Sequence, residues 1–144
     1  MTSNATSALF DVNVWLALCH RAHPHHALAI AHCAELPPGA FCRLTHLALL
    51  RLLTRVEVMG SDLQTPAQAW ETYRRFLADN DAVFIQEPDG MDKIWQSVTI
   101  HHEVRSANAW ADAYLAAFAV TAGMELVTFD RGFRRFKGLH CRLL

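Results

Sequence analysis

The chain has 144 residues, 52% of them hydrophobic, with 13 lysines and arginines against 14 aspartates and glutamates. That length predicts a single domain spanning 1–144, and the apolar content excludes a disordered chain. A formal net charge of −1 excludes a global basic field, so nucleic-acid binding would need a local patch.

Ala8–Asp11 reads as a short strand and Val12–His20 as a mostly apolar helix. Pro24 suits a first helical position, and Ala27, Ile30, Ala31 and Ala34 repeat at helical spacing behind it. "PPGAF" breaks that helix and opens a strand around Ala40–Cys42. Leu44–Val58 is apolar almost all round, which predicts one buried helix. Thr65-Pro66 marks the next helix start, with Ala69, Trp70, Tyr73, Phe76 and Leu77 on its inner face. Ala82–Ile85 is strand-like, and Asp89 is expected to cap a helix carrying Ile94, Trp95 and Val98. Asn108–Ala122 is an alanine-rich helix ended by Gly123; Glu125–Thr128 and His140–Leu143 are the last strands. Alternation of strands and helices predicts an α/β fold, a parallel sheet covered on both faces.

Two of these strands end on an acid, Asp11 in "ALFDVNVWLAL" and Asp130 in "ELVTFDRGFRRF". Parallel sheets place ligands at the C-terminal ends of their strands. Asp112 sits near the start of the helix leading to the last acid-ended strand, and that helix runs antiparallel to its strand, so its start returns to the same edge. Carboxylates about 4 Å apart repel by roughly 1 kcal/mol in water and roughly 4 at an effective dielectric of 20. Without a cation, one is pushed toward protonation. An all-oxygen set favours Mg²⁺ or Mn²⁺ over zinc. The plain alternative is that Asp11 and Asp130 are helix N-caps and that Asp112 favours a helix start.

The order of these motifs resembles the PIN-domain ribonucleases, in particular the VapC toxins of the mycobacterial-type branch. "FDVNVWLAL" is similar to the family's opening motif, with Asp11 as metal-binding acid and Asn13 as its supporting neighbour. "HPHHALAIA" resembles the following helix, "LTHLALLRLLT" with Arg51 the third, and "ADAYLAAFAVTAGMELVTFDRGFRRFKGL" the segment carrying Asp112, Thr128 and Asp130. The resemblance implies a three-layer fold with a central parallel sheet of four or five short strands. It also implies a Mg²⁺- or Mn²⁺-dependent endoribonuclease toxin, usually dimeric, held inactive by a VapB-type antitoxin. Its substrate class would be structured RNA such as transfer or ribosomal RNA, cut by metal-activated water. Asp11, Asp112 and Asp130 would hold the metal. One departure is His46, which stands where many members carry another acid. It bears on a second metal, or marks an RNA contact, or is a partly exposed helix-start histidine.

Other features are less specific. His20, His23, His25, His26 and His32 match no zinc spacing. Arg51, inside an apolar helix, would need a partner carboxylate or a phosphate. Arg131, Arg134, Arg135, Lys137 and Arg142, interleaved with Phe133 and Phe136, form the best local patch for an RNA backbone, or a solvated surface over core phenylalanines. The four tryptophans suit a core or a dimer interface. The scattered cysteines Cys19, Cys33, Cys42 and Cys141 indicate small buried hydrophobes in a reducing compartment. No apolar run reaches membrane-spanning length and "MTSNATSALF" has no leader pattern, so a cytoplasmic protein without a membrane partner is expected. Two other readings remain: a catalytically weakened PIN-like protein that binds RNA or a partner, and a haloacid dehalogenase-like phosphatase. For the phosphatase, Asn13 stands in place of the second aspartate.

Overall fold

The computed structural model describes residues 7–80 and 82–144. Five strands form one sheet: β1 (Ala8–Phe10), β2 (Gly39–Phe41), β3 (Val83–Phe84), β4 (Leu126–Thr128) and β5 (Cys141–Leu143). Their order is β3-β2-β1-β4-β5, and every pairing is parallel. Leu9 is the pivot of the register, paired with Ala40 on one side and Leu126 on the other.

Alternation along these short strands separates two cores. Ala8, Phe10, Phe41 and Val127 face one apolar cluster with Trp15, Leu49, Leu53 and Phe76. Leu9, Ala40, Leu126 and Cys42 face the other, with Phe118, Phe133 and Met91. The first cluster is covered by α1 (Val12–Cys19), α3 (Arg43–Leu53) and α5 (Pro66–Asp79); α7 (Ala107–Ala122), with α6 (Met91–His101) packed against it, covers the second. Helices α2 (His26–Cys33) and α4 (Val56–Met59) complete the chain. This is the expected three-layer α/β architecture. Burial on both faces explains why the strands read as apolar runs rather than alternating ones.

The local signals behave as chemistry requires at most boundaries. Thr65 accepts from the Gln68 N–H and Gln68 returns a bond to the Thr65 N–H, a reciprocal cap ahead of Pro66. Gly123 closes α7 at φ 67°, a conformation that side chains resist. Gly39 is required by contact: a Cβ there would lie 2.6–2.7 Å from the Phe10 and Trp15 rings.

Several expectations need correction. The apolar stretch after Leu44 is two helices, because the chain breaks at Thr54–Arg55. Its surface is mixed: Leu47 and Arg51 are exposed. Trp70 and Trp110 are 43% and 45% exposed, at the margins of their helices, while Trp15 is buried. Gly90, in a left-handed conformation, rather than Asp89, caps α6. Pro24 lies in the turn before α2. No helix among the described residues is long and apolar enough to cross a membrane.

Candidate active site at the C-terminal edge of the sheet

The strand order reverses between β1 and β4, the place where parallel sheets take ligands at their C-terminal edge, and Asp11 and Asp130 follow the ends of these two strands. Asp11 is the N-cap of α1: its Oδ1 accepts from the Val12 N–H at 2.7 Å. Its Oδ2 accepts from the Thr128 hydroxyl at 2.8 Å, across 117 positions of sequence. The Asp11 N–H donates to Val127 O, so the backbone also ties it to β4. Thr128 Oγ1 in turn accepts from the Asp130 N–H at 3.0 Å and lies 3.4 Å from Asn13 Nδ2. Asn13 Oδ1 accepts from the Phe129 N–H at 3.5 Å. Asn13 and Thr128 therefore clamp the ends of β1 and β4 together around Asp11.

Asp130 accepts from the Gly132 N–H at 2.8 Å and caps the short 3₁₀ turn Arg131–Arg135. Asp112 lies in the second turn of α7, one turn later than its position near a helix start suggested, because the helix begins at Ala107. Arg135 reaches it, with Nη2 at 3.4 Å from Oδ2, and also donates to Gly132 O. One arginine thus links the acid of α7 to the turn that carries Asp130.

The carboxyls of Asp11 and Asp112 are both shifted upward. Asp11 is only 8% exposed, and burial pushes its carboxyl up from 3.8 to about 6, against the Thr128 and Val12 hydrogen bonds; Asp112 and Asp130 raise it further by repulsion. Asp112 is also raised, first by burial, with Arg135 opposing and Asp130 adding. Repulsion is the lesser cause for both; desolvation leads. As placed, no three His, Cys, Asp or Glu side chains among the described residues close around a common ion position. Asp112 is turned to Arg135 and Asp130 to the Gly132 N–H. The donor set nevertheless suits a hard divalent ion: all the acids offer oxygen, and Mg²⁺ commonly keeps several waters while using one or two carboxylates. A cation bound beside Asp11 would favour its ionised form against the burial that chiefly raises it, and would offset the smaller repulsion from Asp112 and Asp130.

The remaining candidates separate. Arg131 and Arg134 are exposed beside Asp130 and make no ion pair among the described residues. Arg142 pairs with Glu125 at 3.0 Å. Arg51 is exposed on α3, so solvent satisfies it without the carboxylate partner expected. His46 is not partly exposed: it is 3% accessible, stacked on Tyr73 at 3.7 Å between ring centroids and edge-on to Trp70. The N-terminal histidines are engaged locally: His26 Nδ1 lies 2.7 Å from Ala17 O and His25 stacks on Phe129. A cavity of about 430 Å³ lined by Phe10, Trp15, Pro38, Gly39 and Ala82 opens toward the strands' N-terminal ends, away from the acids. The Arg135–Asp112 contact was not visible in the sequence, and neither was an Arg43–His46 contact, although the i, i+3 spacing of the latter pair was available.

Comparison with known proteins bears on the fold and the lineage. Residues 8–139 match the family model for the PIN domain. Ribonuclease VapC41 of Mycobacterium tuberculosis is 42% identical over 143 residues, covering 94% of this chain and 97% of its own. Ribonuclease VapC48 of the same organism is 30% identical over 141 residues, covering 94% and 96%. Among solved structures, VapBC2 from Rickettsia felis bound to a promoter DNA fragment superposes with a TM-score of 0.67 at 14% identity, covering 95% of this chain and 98% of that one. M. tuberculosis VapC20, described as a Sarcin-Ricin loop cleaving toxin, gives 0.64 at 17%, covering 92% and 98%. The structures speak for the fold and the two sequence relatives for the lineage: this chain belongs to the PIN-domain family, in the group of VapC-type ribonucleases.

Proposed function

We propose that the chain is a divalent-metal-dependent endoribonuclease, the toxin of a toxin–antitoxin pair, with Asp11, Asp112 and Asp130 as its metal-holding acids. The observation that carries this is Asp11: a carboxylate at the strand-order switch, held by Thr128 and raised chiefly by burial, with smaller repulsion from Asp112 and Asp130. Mg²⁺ or Mn²⁺ bound there would neutralise charge on a phosphodiester and acidify a coordinated water.

The chain's own residues supply position and field. Val12 N–H and the Thr128 hydroxyl fix the two Asp11 oxygens, leaving further lone pairs for a ligand. Asn13 keeps β1 and β4 in register behind the acid, a bracing role unlike the acid/base role a phosphatase would need at that position. The exposed Arg131 and Arg134 flank Asp130 and suit contact with RNA phosphates. Membership of the VapC-type group supports a VapB-type antitoxin as partner, a homodimer as the resting assembly, and a cytoplasmic setting. Structured RNA, transfer or ribosomal, is the substrate class we assign.

Incubation of the purified chain with transfer RNA and ribosomal RNA, in Mg²⁺, Mn²⁺ or EDTA, tests this. We expect cleavage with either ion, none in EDTA, and loss in both Asp11→Asn and Asp130→Asn. Cleavage that persists in EDTA or in these variants would overturn the assignment.

A further inference from the structure

Arg43 and His46 open α3 one residue beyond the β2 edge, and the proposed chemistry uses neither. β1 and β2 are parallel, with Leu9 paired to Ala40, so both run out at the same edge of the sheet: Asp11 follows the end of β1, and Cys42 follows the end of β2 and caps the helix that Arg43 opens. The start of α3 therefore lies at the C-terminal edge of the sheet, the edge that also carries Asp11 and Asp130.

Its guanidinium is held from two sides. It lies over the Phe84 ring at 4.4 Å, at the end of β3, and Nη1 is 2.9 Å from His46 Nδ1. A guanidinium only donates, so Nδ1 accepts and the ring proton sits on Nε2. That Nε2–H is buried with no partner. Burial and Arg43 both lower the His46 pKa, keeping the ring neutral. The fold thus tolerates an unsatisfied donor in an aromatic cage of Phe41, Trp70 and Tyr73 to present an acceptor to Arg43.

Arg43 is exposed, and it is the first residue of α3, where the helix dipole disfavours a cation and no acid occupies the first turn. It makes no ion pair among the described residues. A braced, unpaired cation at the positive end of a helix is arranged for an anion from outside. We infer that Arg43 contacts a phosphate of the RNA that runs across this rim, and that His46 is the positioning residue that holds its guanidinium there. This rests on the ribonuclease reading and adds a specific contact to it. It also gives His46 a role other than replacing a metal ligand.

The test is binding of a labelled RNA hairpin in EDTA, by fluorescence anisotropy from 50 to 200 mM salt, with cleavage of transfer and ribosomal RNA run separately. Arg43→Gln should weaken binding about tenfold and reduce the salt slope by about one charge. His46→Phe, which keeps the stack but offers no acceptor, should weaken binding in the same direction, while His46→Gln, which can accept, should stay within about threefold of the parent. Thermal melts confirm that each variant is folded; Arg43→Gln, at an exposed position, carries the test if His46→Phe is not. Parental affinity and slope in Arg43→Gln, or no hairpin binding by the parent, would overturn the inference. Intact transfer and ribosomal RNA in Mg²⁺ and Mn²⁺, with hairpin binding still dependent on Arg43, would overturn the nuclease reading and leave this contact standing.

Discussion

Replacing Asp11 by asparagine should stabilise the protein at neutral pH while disabling it. In the folded chain the Asp11 carboxyl is pushed up to about 6 from an ordinary 3.8, chiefly by burial. At 1.36 kcal/mol per pKa unit, keeping it ionised costs about 3 kcal/mol at pH 7. The sign follows from proton counts. Between about pH 4 and 6 the folded state binds more protons than the unfolded one, so this group's contribution falls as pH rises through that window and is level above it. Asparagine resembles the neutral carboxyl: it carries no charge and can present an oxygen to only one of the two donors, the Val12 N–H or the Thr128 hydroxyl. The loss of the other bond is already contained in that cost, because both bonds oppose the upward shift. Urea unfolding in EDTA should therefore find Asp11→Asn more stable by about 3 kcal/mol at pH 7.5 and within about 1 kcal/mol of the parent at pH 4. A difference of the same size at both pH values would refute the reasoning. Divalent ion at a thousandfold excess over Kd, which adds about 4 kcal/mol to the parent alone, should reverse the ranking at neutral pH.

Thr128→Val keeps the shape and deletes the hydroxyl that supports ionised Asp11; the acid limb of the pH–activity profile should move up by about one pH unit, and an unmoved limb would remove Thr128 from the site. Arg135→Gln frees Asp112 from an exposed ion pair and should tighten Mn²⁺ binding two- to fivefold, roughly the worth of such a pair, as read by calorimetry. Gly39→Ala forces a methyl against the Phe10 and Trp15 rings and should lower stability by about 1–3 kcal/mol with an unchanged urea m-value.

Elements that carry their own signal were legible in the sequence: the Thr65-Pro66 start, the Gly123 stop, and strands ended by Asp11 and Asp130. What local pattern cannot supply is where distant pieces meet. Thr128 and Asp11 bond across 117 positions, and Arg135 meets Asp112 across 23; neither pairing leaves a mark on periodicity. Composition also misled where helices sit at a margin. Apolar richness after Leu44 suggested a helix buried all round, yet Leu47 and Arg51 face solvent and the chain breaks at Thr54. Trp70 and Trp110 fall at helical spacings that predict burial, but each lies at the edge of its helix's inner face. His46 erred in the opposite sense, because its neighbours Tyr73 and Trp70 come from a helix that the sequence places nowhere near it.

The acid rim is tested most directly by calorimetric titration of Mn²⁺ into the parent chain and into Asp11→Asn, Asp112→Asn and Asp130→Asn, each confirmed folded by its melt. A shared hard-ion site predicts saturable binding by the parent that weakens with every one of the three amides. Undiminished binding in all three, or no saturable binding by the parent, would contradict it.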